Sequence, residues 1–301
     1  MDQWNPQPTA FLLSSGLQLS MVTTDKVADE PKDFEDWPLI AAGFPDMWNS
    51  VFQRFKPFLR GATKLTELQN RILAVAVFGQ APQVLSLILK TMTNDYGAVL
   101  TLVLNGYGVQ AMKIARSMFE GECLVHHLKT DPQALQDYVN FEPITRKRFY
   151  DLMTPDRQKA IDPELVENMN RDYAQAEPEF VTSKGGVRQN WSDTTVLKKA
   201  KAAGLEDLYH RPYNLASSMH HYDFQALVAS MDPESDDIGI EPAPSMRWLG
   251  EALSTAHGSL VRSLSYYLDV AKIGFEEEMN TAIEEYNAAN KALIAARPAS
   301  L

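Results

Sequence analysis

Arg116, Glu120, Cys123 and His127 stand at i, i+4, i+7 and i+11, a spacing that lines side chains along one face of an α-helix. They interrupt the apolar run Gly97 to Leu128, where Ile114, Met118, Leu124, Val125 and Leu128 surround the stripe. Tyr213, Ser217 and His220 share a face at i, i+4 and i+7 inside Glu206 to Tyr222, with His221 on its edge. Polar groups on an apolar helix cost free energy unless they find partners, so the two stripes are expected to meet. Their meeting place would hold a guanidinium, a carboxylate, imidazoles, a hydroxyl and a phenol. A guanidinium grips phosphate or carboxylate in a planar fork, and imidazole exchanges a proton near neutral pH. The candidate catalytic residues are therefore Arg116, Glu120, His127, Tyr213, Ser217 and His220, and the chemistry they suit is binding or cleaving a phosphodiester without a metal. The same parts also make an internally satisfied structural network, and that alternative stays open.

Metal chemistry is a further alternative. Glu122 and His126 stand at i, i+4, and His220, His221 and Asp223 cluster; imidazole with carboxylate suits zinc or iron. The repeated Glu-x-x-His of di-metal bundles and the His-Glu-x-x-His of metalloproteases do not occur, and no metal or cofactor is expected. Cys123 is the single cysteine, so neither an intrachain disulfide nor a multi-cysteine zinc site can form. It reads as a small core residue unless His127 or Glu120 activates it. Asn105-Gly106-Tyr107-Gly108 is too short for a phosphate loop and reads as close helix packing within a helical run.

Helices must position these groups. Residues 1–33 are aperiodic and read as a tail or arm. Trp37, Leu39, Ile40, Phe44, Met47, Trp48, Val51, Phe52 and Phe55 predict an amphipathic helix over Phe34 to Leu59, kinked near Pro45. Leu65 to Met92, interrupted at Gly79–Pro82, is the second helical region, and Gly97 to Lys129 the third and most central. Asp131 before Pro132 predicts an N-cap and a first helical residue for Pro132 to Met153, with a break at Pro143. Pro163 to Gln175 is a shorter helix, Glu177 to Trp191 a loop, and Asp193 to Ala203 a helix stopped by Gly204. Met246 to Arg297 carries an almost continuous helical pattern, which as one helix would reach roughly 75 Å at 1.5 Å per residue. It either breaks at Gly258 or Gly274 into two core helices, or projects and pairs with a second subunit, a candidate homodimer. No alternation of strand type is sustained. The expected fold is an all-α multi-helix bundle with a long C-terminal helix. Its parts are a tail at 1–33, a core at 34–222, an acidic Pro-rich loop at 223–245 and the C-terminal segment 246–301.

A net charge of −11 repels nucleic acid at long range, although it leaves room for one local basic cleft. The apolar stretches Ile72–Phe78, Val84–Leu89 and Val99–Leu104 are far short of a bilayer span, so no membrane partner is expected. Asp2 and the lack of a basic residue before Lys26 do not make a signal leader, and the expected compartment is the cytoplasm.

The series Arg116-x3-Glu120, then Trp191, Ala200, Gly204, Tyr209 and Tyr213-x3-Ser217-x2-His220 resembles a widespread bacterial family of uncharacterised helical proteins, over roughly Gly97 to Asp223. That family is similar in architecture to HEPN domains, helical units of toxins, RNA-cleaving effectors and phage-defence systems. The resemblance implies a HEPN-like core and an effector directed at RNA or a nucleotide. HEPN nucleases carry an Arg and a His four to six residues apart. Here Arg116 and His126, Arg211 and His220, and Arg247 and His257 all stand farther apart. As an effector, the protein would hold phosphate with Arg116, use His220 as general base and His127 as general acid, and orient them with Glu120 and Tyr213. The alternatives are a non-catalytic interaction or sensor module and a metal-dependent enzyme.

Overall fold

Apolar residues recurring every three or four positions build the core helices. The computed structural model describes residues 44–229, 231 and 244–295. The expected tail at 1–33, the helix start with Trp37, Leu39 and Ile40, and residues 232–243 of the acidic segment lie outside the described residues. Helix α1, Pro45–Leu73, buries Val51, Phe55, Phe58, Ala62, Leu65, Leu68 and Ile72 along one stripe. Pro45 is its first residue rather than a kink, a place where the missing N–H costs nothing. The bend comes at Phe55 (φ −111°, ψ 19°), two residues before Pro57, whose ring and absent N–H break the hydrogen-bond ladder.

Helix α2, Gln80–Leu104, and α3, Gly108–Thr130, are separate helices. The expected third helix, running unbroken from Gly97, is thus corrected: the chain turns at Asn105–Tyr107. Gly106 has φ +74°, open to glycine without strain, and a Cβ on Gly108 would lie 2.0 Å from the carbonyl oxygen of Arg247. The Asn-Gly-Tyr-Gly series is a close-packing device, as expected, but its partner is the backbone that leads into α11, Leu249–Ala271.

Asp131 caps α4, Pro132–Asn140, by accepting from the backbone N–H groups of Gln133 and Ala134. Helix α5, Glu142–Asp151, follows at the expected Pro143 break, then α6, Pro155–Lys159, and α7, Pro163–Ala176. Phe141, Ile144, Ala176 and Phe180 form a small core of their own beside the main one. A 3₁₀ turn at Glu177–Phe180 and an isolated bridge between Val181 and Val187 order the expected loop. Next come α8, Val196–Ala202, α9, Asn214–His221, and α10, Phe224–Ala229.

The C-terminal pattern is two helices: α11, and α12, Glu276–Ala295. They part where Lys272 (φ 52°), Gly274 (φ 84°) and Phe275 (φ 75°) adopt left-handed conformations. Helix α12 folds back on α11 and α1 of the same chain. Helix α3 is central, packed against α2, α8, α9 and α11. The architecture is an all-α multi-helix bundle, and no helix among the described residues is long and apolar enough to cross a membrane.

Candidate functional site

Because α3 is surrounded, its polar residues must find partners on several helices. On the side facing α11, Glu122 is fully buried and accepts from Nε and Nη2 of Arg262, with Nη2 at 2.9 Å from Oε2. His126, its i+4 neighbour, turns edge-on to Tyr266 at 5.0 Å. These two side chains, paired in the metal alternative, have separate partners. Among the described residues no three His, Cys, Asp or Glu side chains converge as a metal-ligand set.

The stripe Arg116, Glu120, Cys123, His127 faces a different neighbour. After α8 ends, Gly204 (φ 72°) reverses the chain into one helical turn, Glu206–Leu208, which widens into a π turn at Tyr209–Tyr213. Pro212 lies inside that turn and has no N–H to give to an α-helical ladder. Such insertions re-aim side chains, and functional sites use them often. Here the turn directs Tyr213 onto α3. Tyr209 stacks on its ring at 4.8 Å and Phe119 packs against it at 5.4 Å.

One carboxylate oxygen closes the cluster. Oε1 of Glu120 accepts from the Tyr213 hydroxyl at 2.8 Å and forms an ion pair with Nη2 of Arg116 at 2.8 Å. The Arg116 guanidinium also lies 5.4 Å from the centroid of the Tyr213 ring. Burial, then the hydrogen bond to Glu120, pushes the Tyr213 phenol up to about 12, so it stays a proton donor. Nε of Arg116 is buried without a hydrogen-bond partner among the described residues.

Farther along the stripe, the Cys123 thiol is fully buried, and burial, then the Glu122 charge, pushes it up to about 12. That is the opposite of an activated thiolate. His127 lies 5.9 Å from Trp191, its pKa lowered by burial and then by Lys199. Lys199, on α8, holds its ammonium 4.6 Å from the Trp191 ring, and its own pKa is lowered by burial. Its charge acts on both Cys123 and Glu120 of the stripe.

The structure therefore brings together Arg116, Glu120 and Tyr213, with His127 farther along the same helix face. Ser217 is half-buried on α9. His220 and His221 are exposed in the last turn of α9, their rings in contact with each other at 5.1 Å. Tyr222, left-handed at φ 55°, ends that helix. Lys199 adds a cation beside this face that the two stripes did not include; Val196, Lys199 and Ala203 share a face that Ala200, buried, adjoins.

No curated protein and no solved structure matches the chain. Residues 83–238, more than half of it, match the model of DUF5677, a family of unknown function. That span runs from α2 through the polar stripe, the π turn and both histidines of α9, and the protein belongs to the DUF5677 family.

Proposed function

We propose that the protein is a non-catalytic helical interaction or sensor module, in which Arg116, Glu120 and Tyr213 clamp the π turn to α3. The observation that carries this reading is the convergence of Arg116 and Tyr213 on one oxygen of Glu120. The Tyr213 hydroxyl and one oxygen of Glu120 are committed to each other, which leaves that pair little to offer a reacting group. The Glu120 side chain is 35% exposed, so solvent screens the ion pair and its worth falls below that of a fully buried one. Arg116→Ala is expected to cost about 1–3 kcal/mol of unfolding free energy. Tyr213→Phe, which keeps the ring and loses the hydrogen bond, is expected to cost about 1 kcal/mol. Denaturant unfolding measures both, and an Arg116→Ala variant as stable as the parent overturns the reading.

A second reading, a HEPN-like effector directed at RNA or a nucleotide and linked to toxin or phage-defence systems, is favoured by one observation. Lys199, with no carboxylate partner among the described residues, stands beside Trp191 and His127 on the stripe that Arg116 begins. Cation and indole together suit a phosphate and a stacked base. In this reading Arg116 holds the phosphate, His220 and His127 exchange protons, and Glu120, Tyr213 and Ser217 complete the site. Growth arrest on expression, lost in both Arg116→Ala and His220→Ala at unchanged protein level, supports it; arrest that persists in both variants removes it.

A further inference from the structure

A second constellation lies on the opposite flank of α11, and it shares no residue with the α3 stripe. Helices α1 and α12 run antiparallel, as their ion pairs show: Lys64 with Glu285, and Arg71 with Glu278 at 3.0 Å, step in opposite directions along the two helices. Between the two pairs opens a cavity of about 270 Å³. Leu65, Leu68 and Ala282 give it apolar walls, and His257 of α11 lies at its floor.

His257 is 3% exposed and is held on three sides. Tyr286 stacks parallel to it at 5.6 Å, and Phe58 meets it edge-on at 5.9 Å. Its Nδ1 lies 2.6 Å from the Tyr96 hydroxyl. That bond decides the tautomer. Tyr96 is 1% exposed and its hydroxyl has no other partner among the described residues, so the O–H must donate to Nδ1 or go unpaired. With Nδ1 accepting, the ring proton is on Nε2. Burial also drives the imidazole pKa down to about 4, which keeps the ring neutral and leaves Nε2 a donor alone.

Nε2 looks out through a gap left by a missing side chain. A Cβ on Gly61 would lie 3.6 Å from Cε1 and 3.9 Å from Nε2, so these ring atoms form the cavity end beneath Gly61. Glycine inside a helix gives up roughly 1 kcal/mol against alanine, and here its smallness keeps a buried donor reachable. The mouth disfavours anions. Both cations are matched by Glu285 and Glu278, and Glu67 adds a third carboxylate with no cation partner among the described residues.

We propose that this cavity is a small-molecule site for an uncharged ligand, held by a carbonyl-type acceptor on the Nε2–H of His257 between apolar walls. Benzamide is a suitable probe: it is flat, neutral and carries one carbonyl. Benzoate is its anionic counterpart. The full chain labelled with ¹⁵N-histidine is titrated with each, and the His257 ring signals are assigned by their loss in His257→Gln. The expected result is a protonated Nε2, a bare Nδ1, and a saturable Nε2–H shift with benzamide at a Kd on the order of 1 mM. Benzoate is expected to bind at least about tenfold more weakly, the effect of one unpaired buried charge. Folded Gly61→Leu, which fills the gap, is expected to abolish the benzamide shift. If that variant does not fold, Gly61→Ala, whose methyl makes only ordinary contacts, is expected to weaken it. A proton on Nδ1, no saturation with benzamide, equal binding of benzoate, or unchanged binding in the folded Gly61 variant each overturns the proposal.

Discussion

Glu120 shows how much one atom can decide. Its Oε1 accepts from a phenol on a different element and pairs with a guanidinium from its own helix, so three residues that the spacing offered as reactive groups stand in one cluster. The histidines divide differently. His220 is solvated, His127 is half-buried beside Trp191 and Lys199, and His257 is buried in the core. The last has the largest lowering and the clearest stability consequence. Its folded pKa, about 4, lies below the ordinary 6.5 because burial penalises the charged ring. A depressed pKa means that the unfolded chain binds more protons at intermediate pH. The stabilising effect is therefore present above pH 6.5 and lost as pH falls from there through 4. The full loss corresponds to about 3 kcal/mol at 1.36 kcal/mol per unit. Denaturant midpoints measured across this window should fall for the parent, and the histidine's share of that fall should vanish in His257→Gln.

Elements owe their limits here to backbone more than to hydrophobic period. The period reads correctly across Asn105–Tyr107, since apolar residues continue on both sides, yet the helix stops. The chain turns there with Gly106 left-handed at φ 74°, and the turn brings Gly108 against the carbonyl of Arg247 at a distance no Cβ can tolerate. Gly108→Ala should therefore lower stability by at least about 2 kcal/mol, since backbone must move to admit one methyl. Thermal or denaturant unfolding reads this directly, and a neutral substitution would show that the segment before α11 gives way easily. The π turn at Tyr209–Tyr213 was equally hidden. Pro212 announces a disturbed helix, but a kink, a stop and a π turn all answer to the same residue. Caps were the opposite case. Asp131-Pro132 was legible because its hydrogen bonds are local, from Asp131 to Gln133 and Ala134.

At the scale of the whole molecule, α3 acts as an axis with two polar faces: Glu122 answers Arg262 of α11, and the stripe answers the π turn and α8. This explains why so many polar residues occur in a central helix without breaking it. Helix α12 completes the bundle by closing over α1, and its ion pairs frame the His257 cavity. A homodimer through the C-terminal segment remains a proposal for the intact chain. Light scattering of the full-length protein is the check: a mass of two chains supports the dimer, and a mass of one removes it.

The sequence by itself determined the fold class, most helices, the cap at Asp131, and a polar stripe on the central helix. These follow from local rules, since helical periodicity, capping hydrogen bonds and the cost of burying polar atoms act within a few residues of chain. Only the tertiary structure decided which polar residues met. Tyr213 reached Glu120 because a π turn rotated it inward, His220 is exposed because α9 turns Ala216 and Met219 to the core instead, and Lys199 came to Trp191 because α8 packs on α3. The His257 cavity belongs to the same class of fact. It depends on α1, α11 and α12 placing Gly61, His257 and Glu278 around one space while Tyr96 of α2 holds the imidazole from behind, and no spacing along a single helix carries that information.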